Sequence, residues 1–318
     1  MEVKAPIEQK KKMSKRRKKE LIFIIVLLAY PVLQFLLTWI FVNSYSIILS
    51  FQNISMEGDI SFAGLDNFIY VIERIFNPEL GAVTIANDIR IPNNLLVIIN
   101  SFGYGLITIF ISLPLALVAS YFLSKKMPLA NVFRVIFFLP NIISVVALVY
   151  AFRMQLDSTS GLVYHFLEFF GVHLEDTIWP NTTIIVYIYC IWAGIGYNVL
   201  LFSGAIGRVP KELFESAQMD GAGNFKQFTK IMIPMIWPTV VTMIVLGMTS
   251  ILTLYLQPVL FEYNNTETIA GTIFNGVGDG KTQYPVYSAF GLLCSFILAP
   301  VILWVRKLIS KKFSDTDC

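Results

Sequence analysis

RVPKELFESAQMDGAGNFKQFTKIMIPMIWP, residues 208–238, lies between two long apolar runs and decides how the chain is read. It holds seven ionisable side chains, Arg208, Lys211, Glu212, Glu215, Asp220, Lys226 and Lys230. Each would cost ~2.5–3.5 kcal/mol at the centre of a bilayer. The segment therefore belongs in water, between two spans of a membrane protein.

Composition agrees. Of 318 residues, 56% are hydrophobic and 14% charged, and the apolar residues fall in blocks long enough to cross a bilayer. The pattern implies an all-α polytopic membrane protein with six transmembrane helices at about 21–43, 95–123, 132–153, 182–206, 231–256 and 285–305. The basic start is followed by an apolar run too long for a signal-peptide core, so 21–43 is expected to serve as both first span and anchor.

Charge placement orients the chain. With a cytoplasmic N-terminus, the segments 1–20, 124–134, 207–230 and 306–318 carry 20 of the 24 Lys and Arg residues. Only Arg74, Arg90, Arg153 and Lys281 remain outside, so both termini and the 208–230 segment are expected to be cytoplasmic. The organisation read from this is a basic tail (1–20), a six-helix domain (21–306) with a cytoplasmic loop (208–230), and a second tail (307–318).

The external segment 44–94 contains FAGLDNF, expected as a surface turn packed by Phe62 and Phe68. Asn100, Ser101 and Tyr104 in the second span must meet another helix or line a cavity. LVYHFLEFF, 162–170, reads as a short helix lying in the membrane interface, with Leu162, Phe166, Phe169 and Phe170 on one face. Cys190, Cys294 and Cys318 form no CxxC, and His165 and His173 lie in no HExxH, so neither a metal nor a cofactor is expected. The chain contains no P-loop and no GxSxG, which argues against ATP binding or hydrolase chemistry of its own. The six expected spans also lack carboxylates of the kind that relay protons in proton-coupled transporters.

Within the loop, Pro210 suits the first helical position, and Leu213, Phe214 and Ala217 share an apolar face over 211–220. Asp220-Gly221 ends that helix, with Gly221 able to take the left-handed conformation. Asn224 and Gln227 have the spacing of a capping box for a second helix, with Phe225, Phe228 and Met232 on one side. Pro234 and Pro238 should bend the fifth span near the membrane surface. A loop that only joined two spans would be shorter; this one is built to fit a groove in a partner.

Glu215-Ser216-Ala217, Gly221, Ile231 and Pro234 follow the spacing EAA-x3-G-x9-I-x-L-P, with Ser216 for the first Ala and Ile233 for Leu. The segment resembles the permease subunits of binding-protein-dependent ABC importers, of the sugar-uptake type related to maltose and glycerol-phosphate permeases. SFQN (50–53) with GLDNF (64–68), FRVIFFLP (133–140) and WAGIGY (192–197) are similar to further parts of that pattern. FEYNNTET (261–268) stands where a glycine-glycine-proline element is usual.

The resemblance implies a type I ABC importer permease architecture in a prokaryotic inner membrane. Phe214, Glu215, Ser216, Ala217, Asp220 and Gly221 would couple the chain to an ATPase subunit, with Glu215 paired to a basic residue there. Its partners would be a second permease subunit, two ATPase subunits, an extracellular solute-binding protein and a sugar. Maltose-type permeases contact sugar from the fourth and fifth spans. There, Tyr197 and Asn198, and Ser250 and Thr253 on a face shared with Gln257, with Thr249 nearby, are the candidates for a substrate path. An importer of a non-sugar solute, and a membrane-embedded glycan- or lipid-modifying enzyme, remain alternative readings.

Overall fold

The computed structural model describes residues 15–85, 89–125, 127–157, 161–171, 182–261 and 265–311. Most of the basic tail, His173 and Cys318 lie outside them. The chain divides into two compact units, Met1–Leu49 and Ser50–Cys318.

Helix α1 (Lys15–Ser50) forms most of the first unit and extends the expected first span at both ends. Its polar side chains turn back on the helix: Thr38 Oγ1 donates to the Gln34 carbonyl at 2.7 Å and Asn43 Nδ2 to that of Trp39 at 2.7 Å. Such bonds leave few unmet polar groups for lipid to face.

The second unit begins with the hairpin β1 (Gln52–Ile54) and β2 (Ile60–Phe62), followed by α2 (Asp66–Phe76). Its turn is anchored differently from the sequence reading. Phe68 packs on Phe51 at 5.3 Å, whereas Phe62 is 82% exposed. Asn67, which sequence patterning ranks only as a turn former, is buried and donates to the carbonyls of Ser50 (2.9 Å) and Gln52 (2.8 Å). A second hairpin, β3 (Ala82–Ile85) and β4 (Ile89–Pro92), leads into α3 (Asn93–Ser124).

Two expected spans are broken. The third consists of α4 (Ala130–Ile142) and α5 (Val145–Gln155), bent by 102°. The helix continues past Pro140, and the break comes where Ile143 (ψ 145°) and Ser144 (ψ 130°) are extended. Asn141 Nδ2 donates to the Ala193 carbonyl at 3.1 Å and holds the bend against the next long helix. After α6 (Leu162–Phe169), whose Leu162, Phe166 and Phe169 are exposed, comes α7 (Thr182–Ile206), which matches the expected fourth span.

The fifth span is also bent. After α8 (Lys211–Met219), the chain forms α9 (Asn224–Met235) and α10 (Trp237–Thr253), which meet at 77°. The break is at Ile236, where Pro238 cannot donate to the Pro234 carbonyl, so the expected proline bend is present. Helix α10 stops at Thr253, not near 256. Pro258 has no N–H to offer the Leu254 carbonyl, which accepts from Thr268 Oγ1 at 2.6 Å instead. Gln257 therefore lies on α11 (Leu256–Phe261) and not on the face of Ser250 and Thr253.

The chain ends with α12 (Ile269–Gly276) and α13 (Tyr284–Ser310). Among the described residues, four helices are thus long and apolar enough to cross a membrane, and up to six spans result if each bent pair is counted as one.

Among the described residues, three buried clusters join helices of the second unit. One is centred on Ala116, Phe202, Met232 and Met243, a second on Tyr104, Val149, Tyr189 and Phe261, and a third on Val71, Val97, Ile269 and Phe290. The polar residues of the second span meet the chain before α12. Asn100 Nδ2 donates to the carbonyls of Asn265 (2.7 Å) and Glu267 (3.1 Å), and Ser101 Oγ accepts from the Ile269 amide at 2.8 Å. Tyr104 is the exception, with a buried hydroxyl that has no partner among the described residues.

Candidate functional site

The loop between α7 and α9 has the helix-turn-helix form read from its residues. Pro210 stands one position earlier than expected, as the N-cap, with extended ψ of 131°. Gly221, at φ +74°, follows the C-cap Asp220. Its amide donates to the Gln218 carbonyl at 3.0 Å, and the Ala222 amide to that of Ala217 at 2.8 Å. These two bonds are the Schellman motif, which meets carbonyls that the helix end leaves open. A Cβ on Gly221 would meet nothing within 4 Å, so glycine is required here for backbone conformation and not for space.

The apolar face of α8 is divided between two roles. Phe214 is half-buried against the Phe202–Met232 cluster, and Val209 at the root of the loop is buried in it. The apolar face of Leu213, Phe214 and Ala217 is thus not all left for a partner's groove: Phe214 fastens α8 to its own chain. Leu213 (41% exposed) and Met219 (89%) remain open, beside the exposed Glu212, Glu215 and Ser216.

The expected capping box is absent. Gly223 is the N-cap of α9 and no side chain caps it. Asn224 and Gln227 instead face the end of α3, where both side-chain oxygens accept from Lys125 Nζ. Phe228 and Met232 turn inward as expected, but Phe225 is 79% exposed. No local spacing pointed to Lys125, because its partners lie about a hundred positions away in the chain.

The candidate path residues fall into two groups. Ser120 Oγ donates to the Val199 carbonyl at 3.1 Å, which sets Tyr197 and Asn198 level with that part of α3. Ile251 abuts Gly105, where a Cβ would run into it, so Thr249, Ser250 and Thr253 lie level with Gly105. Gly105 and Ser120 stand roughly 20 Å apart along the helix axis. The five residues therefore form two stations and not one pocket.

The hydroxyls of the second group bond within their own helix: Thr249 to the Leu246 carbonyl (2.8 Å), Ser250 to Gly247 (2.6 Å) and Thr253 to Thr249 (3.2 Å). Each oxygen can still accept. Tyr197 is 48% exposed, and Asn198 is buried.

Among the described residues, long apolar helices and two sharply bent helix pairs, with a charged helix-turn-helix in one connection, have the make-up of a membrane-spanning protein. Residues 112–315 match the family described as "Binding-protein-dependent transport system inner membrane component", and the chain belongs to that family. It is 27% identical over 294 residues to the arabinooligosaccharides transport system permease protein AraP of Bacillus subtilis (strain 168), across 90% of this chain and 86% of that protein. It is 26% identical over 268 residues to the diacetylchitobiose uptake system permease protein NgcF of Streptomyces coelicolor, across 79% of this chain and 72% of that one. The fold is also similar to a chain in the crystal structure of a bacterial ABC transporter involved in the import of the acidic polysaccharide alginate. There the TM-score is 0.74 at 18% identity, covering 94% of this chain and 99% of that one.

Proposed function

We propose that this chain is the permease subunit of an ATP-driven importer for a sugar or oligosaccharide, coupled to its ATPase through α8. The observation that carries the coupling is the helix-turn-helix, with its Schellman turn at Gly221 and its exposed carboxylates. The sugar reading is supported by relatives named for arabinooligosaccharides and diacetylchitobiose.

In this reading the two bent pairs are each one span, which gives six spans over 21–306 and leaves 1–20, 208–230 and 307–318 in the cytoplasm of a prokaryotic cell. Glu215 pairs with a basic residue of the ATPase, while Ser216, Ala217, Asp220 and Gly221 set the shape that enters its cleft. Phe214 transmits the movement into the Phe202–Met232 cluster. Closure of two ATPase subunits then tilts α8 as a rigid body and switches the spans between inward- and outward-facing states. A second permease subunit completes the pathway, and an extracellular binding protein delivers the cargo. Tyr197 and Asn198, then Thr249, Ser250 and Thr253, are successive stations along the path.

Affinity purification of the tagged chain from membranes of its native host tests the coupling. An ATPase subunit should come down with the wild type and be lost when residues 211–221 are scrambled. Recovery of the ATPase with the scrambled loop would sink the assignment. A deletion strain offered labelled arabinotriose, diacetylchitobiose and maltotriose tests the cargo class; unimpaired uptake of all three would remove these sugars.

A further inference from the structure

Three hydrogen bonds join the end of α3 to the start of α9, two segments that no local sequence pattern connects. Lys125 Nζ donates to Asn224 Oδ1 and, at 2.9 Å, to Gln227 Oε1, and it lies 4.8 Å from the centre of the Tyr121 ring. Tyr121 Oη donates to the Asn224 backbone carbonyl at 2.9 Å. Gln227, 1% exposed, donates from Nε2 to the Ala222 carbonyl at 2.7 Å. Ala222 is the residue whose amide closes the Schellman turn of α8. An unbroken chain of bonds therefore runs from Lys125 through Gln227 to the end of α8.

Apolar packing also contributes to this junction, with Tyr121, Leu123 and Met232 buried in one cluster. Phe228 meets the Tyr121 ring at 5.1 Å, and an open groove of about 290 Å³ runs beside them between Val118, Phe122 and Phe225. With Phe225 exposed, the polar contacts fix where the outgoing arm of the loop sits. The upper part of the same helical turn is tied elsewhere: Ser120 Oγ bonds the Val199 carbonyl of α7. One turn of α3 thus grips both the helix that enters the loop and the helix that leaves it.

We propose that Lys125 and Tyr121 are positioning residues that latch the loop to α3, so that α8 cannot move unless α3 and α7 move with it. This rests on the coupling role assigned to α8. A rigid lever requires a fixed hinge arm. An ammonium shared between two amide oxygens is a charge-assisted contact, stronger than the neutral bonds around it. Without the latch, ATPase closure would rock α8 on a slack arm and be spent without turning the spans.

The test compares Lys125→Met, Tyr121→Phe and Lys125→Arg in the complex purified from the native host, with ATP as the only ligand added. The latch predicts that Lys125→Met retains its ATPase subunits but hydrolyses ATP about tenfold faster in the absence of solute, the factor that loss of one such bond supplies. Tyr121→Phe should act in the same direction to a smaller extent, and Lys125→Arg should restore most of the restraint. Amide exchange across 217–224 should quicken by about tenfold in Lys125→Met, whether or not an ATPase is bound. Unchanged exchange in that variant would overturn the latch, as would unchanged hydrolysis with the ATPase in place. Loss of the ATPase from Lys125→Met alone would mark a residue needed for assembly and also overturn it. A wild type that recovers no ATPase would instead refute the coupling reading, while the exchange measurement still judged the latch.

Discussion

Glu215 and Gly221 carry the coupling assignment for different physical reasons. Glu215 is an exposed carboxylate on a short helix, in an ion pair with none of the described residues. Glu215→Lys should leave the protein in the membrane but release the ATPase, as read by co-purification; retention of the ATPase would show that the charge is not used. Gly221 is a backbone requirement at φ +74°. Gly221→Ala should cost the turn ~1 kcal/mol, seen as roughly fivefold faster amide exchange over 217–222. Both residues were legible in the sequence, because motif spacing and turn chemistry are local. Phe214 was only half legible. Periodicity placed it on an apolar face, but which apolar residues of that face reach the bundle and which stay open depends on where the helix is set down.

At the scale of elements, the close approaches decide the packing. A Cβ on Gly196 of α7 would run into the Phe137 carbonyl of α4, whereas one on Gly204, two turns further along, meets nothing within 4 Å. Gly196→Ala should therefore destabilise the detergent-solubilised protein by ~1–3 kcal/mol through forced separation of the two helices. Gly204→Ala should leave it unchanged or stabilise it by ~0.5–1 kcal/mol, since the helix gains propensity. Thermal unfolding of the two variants side by side is the check, and equal melting would refute the contact. Asn67→Ala should lower stability by ~1–3 kcal/mol, because the buried carbonyls of Ser50 and Gln52 lose their shared donor. The bends divide in the same way. Pro234 and Pro238 announced the break at Ile236, but the 102° turn between α4 and α5 is completed by Asn141 reaching α7. A window of hydropathy sees 132–153 as one apolar run and cannot register that turn.

For the whole molecule, the two levels of candidate path residues make a quantitative prediction. Tyr197 and Ser250 are roughly 20 Å apart in depth, judged by their neighbours on α3. The effects of Tyr197→Ala and Ser250→Ala on uptake should therefore combine additively in free energy, within ~0.5 kcal/mol. A larger coupling in a double-mutant cycle, measured with whichever saccharide the host takes up, would mean that both residues contact one bound ring. Coupling within the intact complex, and not its assembly, should also depend on the α3–loop junction, since it ties the charged connection to two helices at once.

The amino-acid sequence by itself determined the membrane class, the positions of the long spans and the existence of a charged helix-turn-helix between two of them. These arise from hydropathy, from charge placement and from residues within one or two turns of each other, all of which act locally along the chain. Only the tertiary structure decided that Phe214 anchors α8 and that Asn224 and Gln227 bind Lys125 instead of capping a helix. It also set the candidate path residues at two depths. Each of these is a contact between segments far apart in sequence, and a side chain's partner across that distance is chosen by how the helices cross.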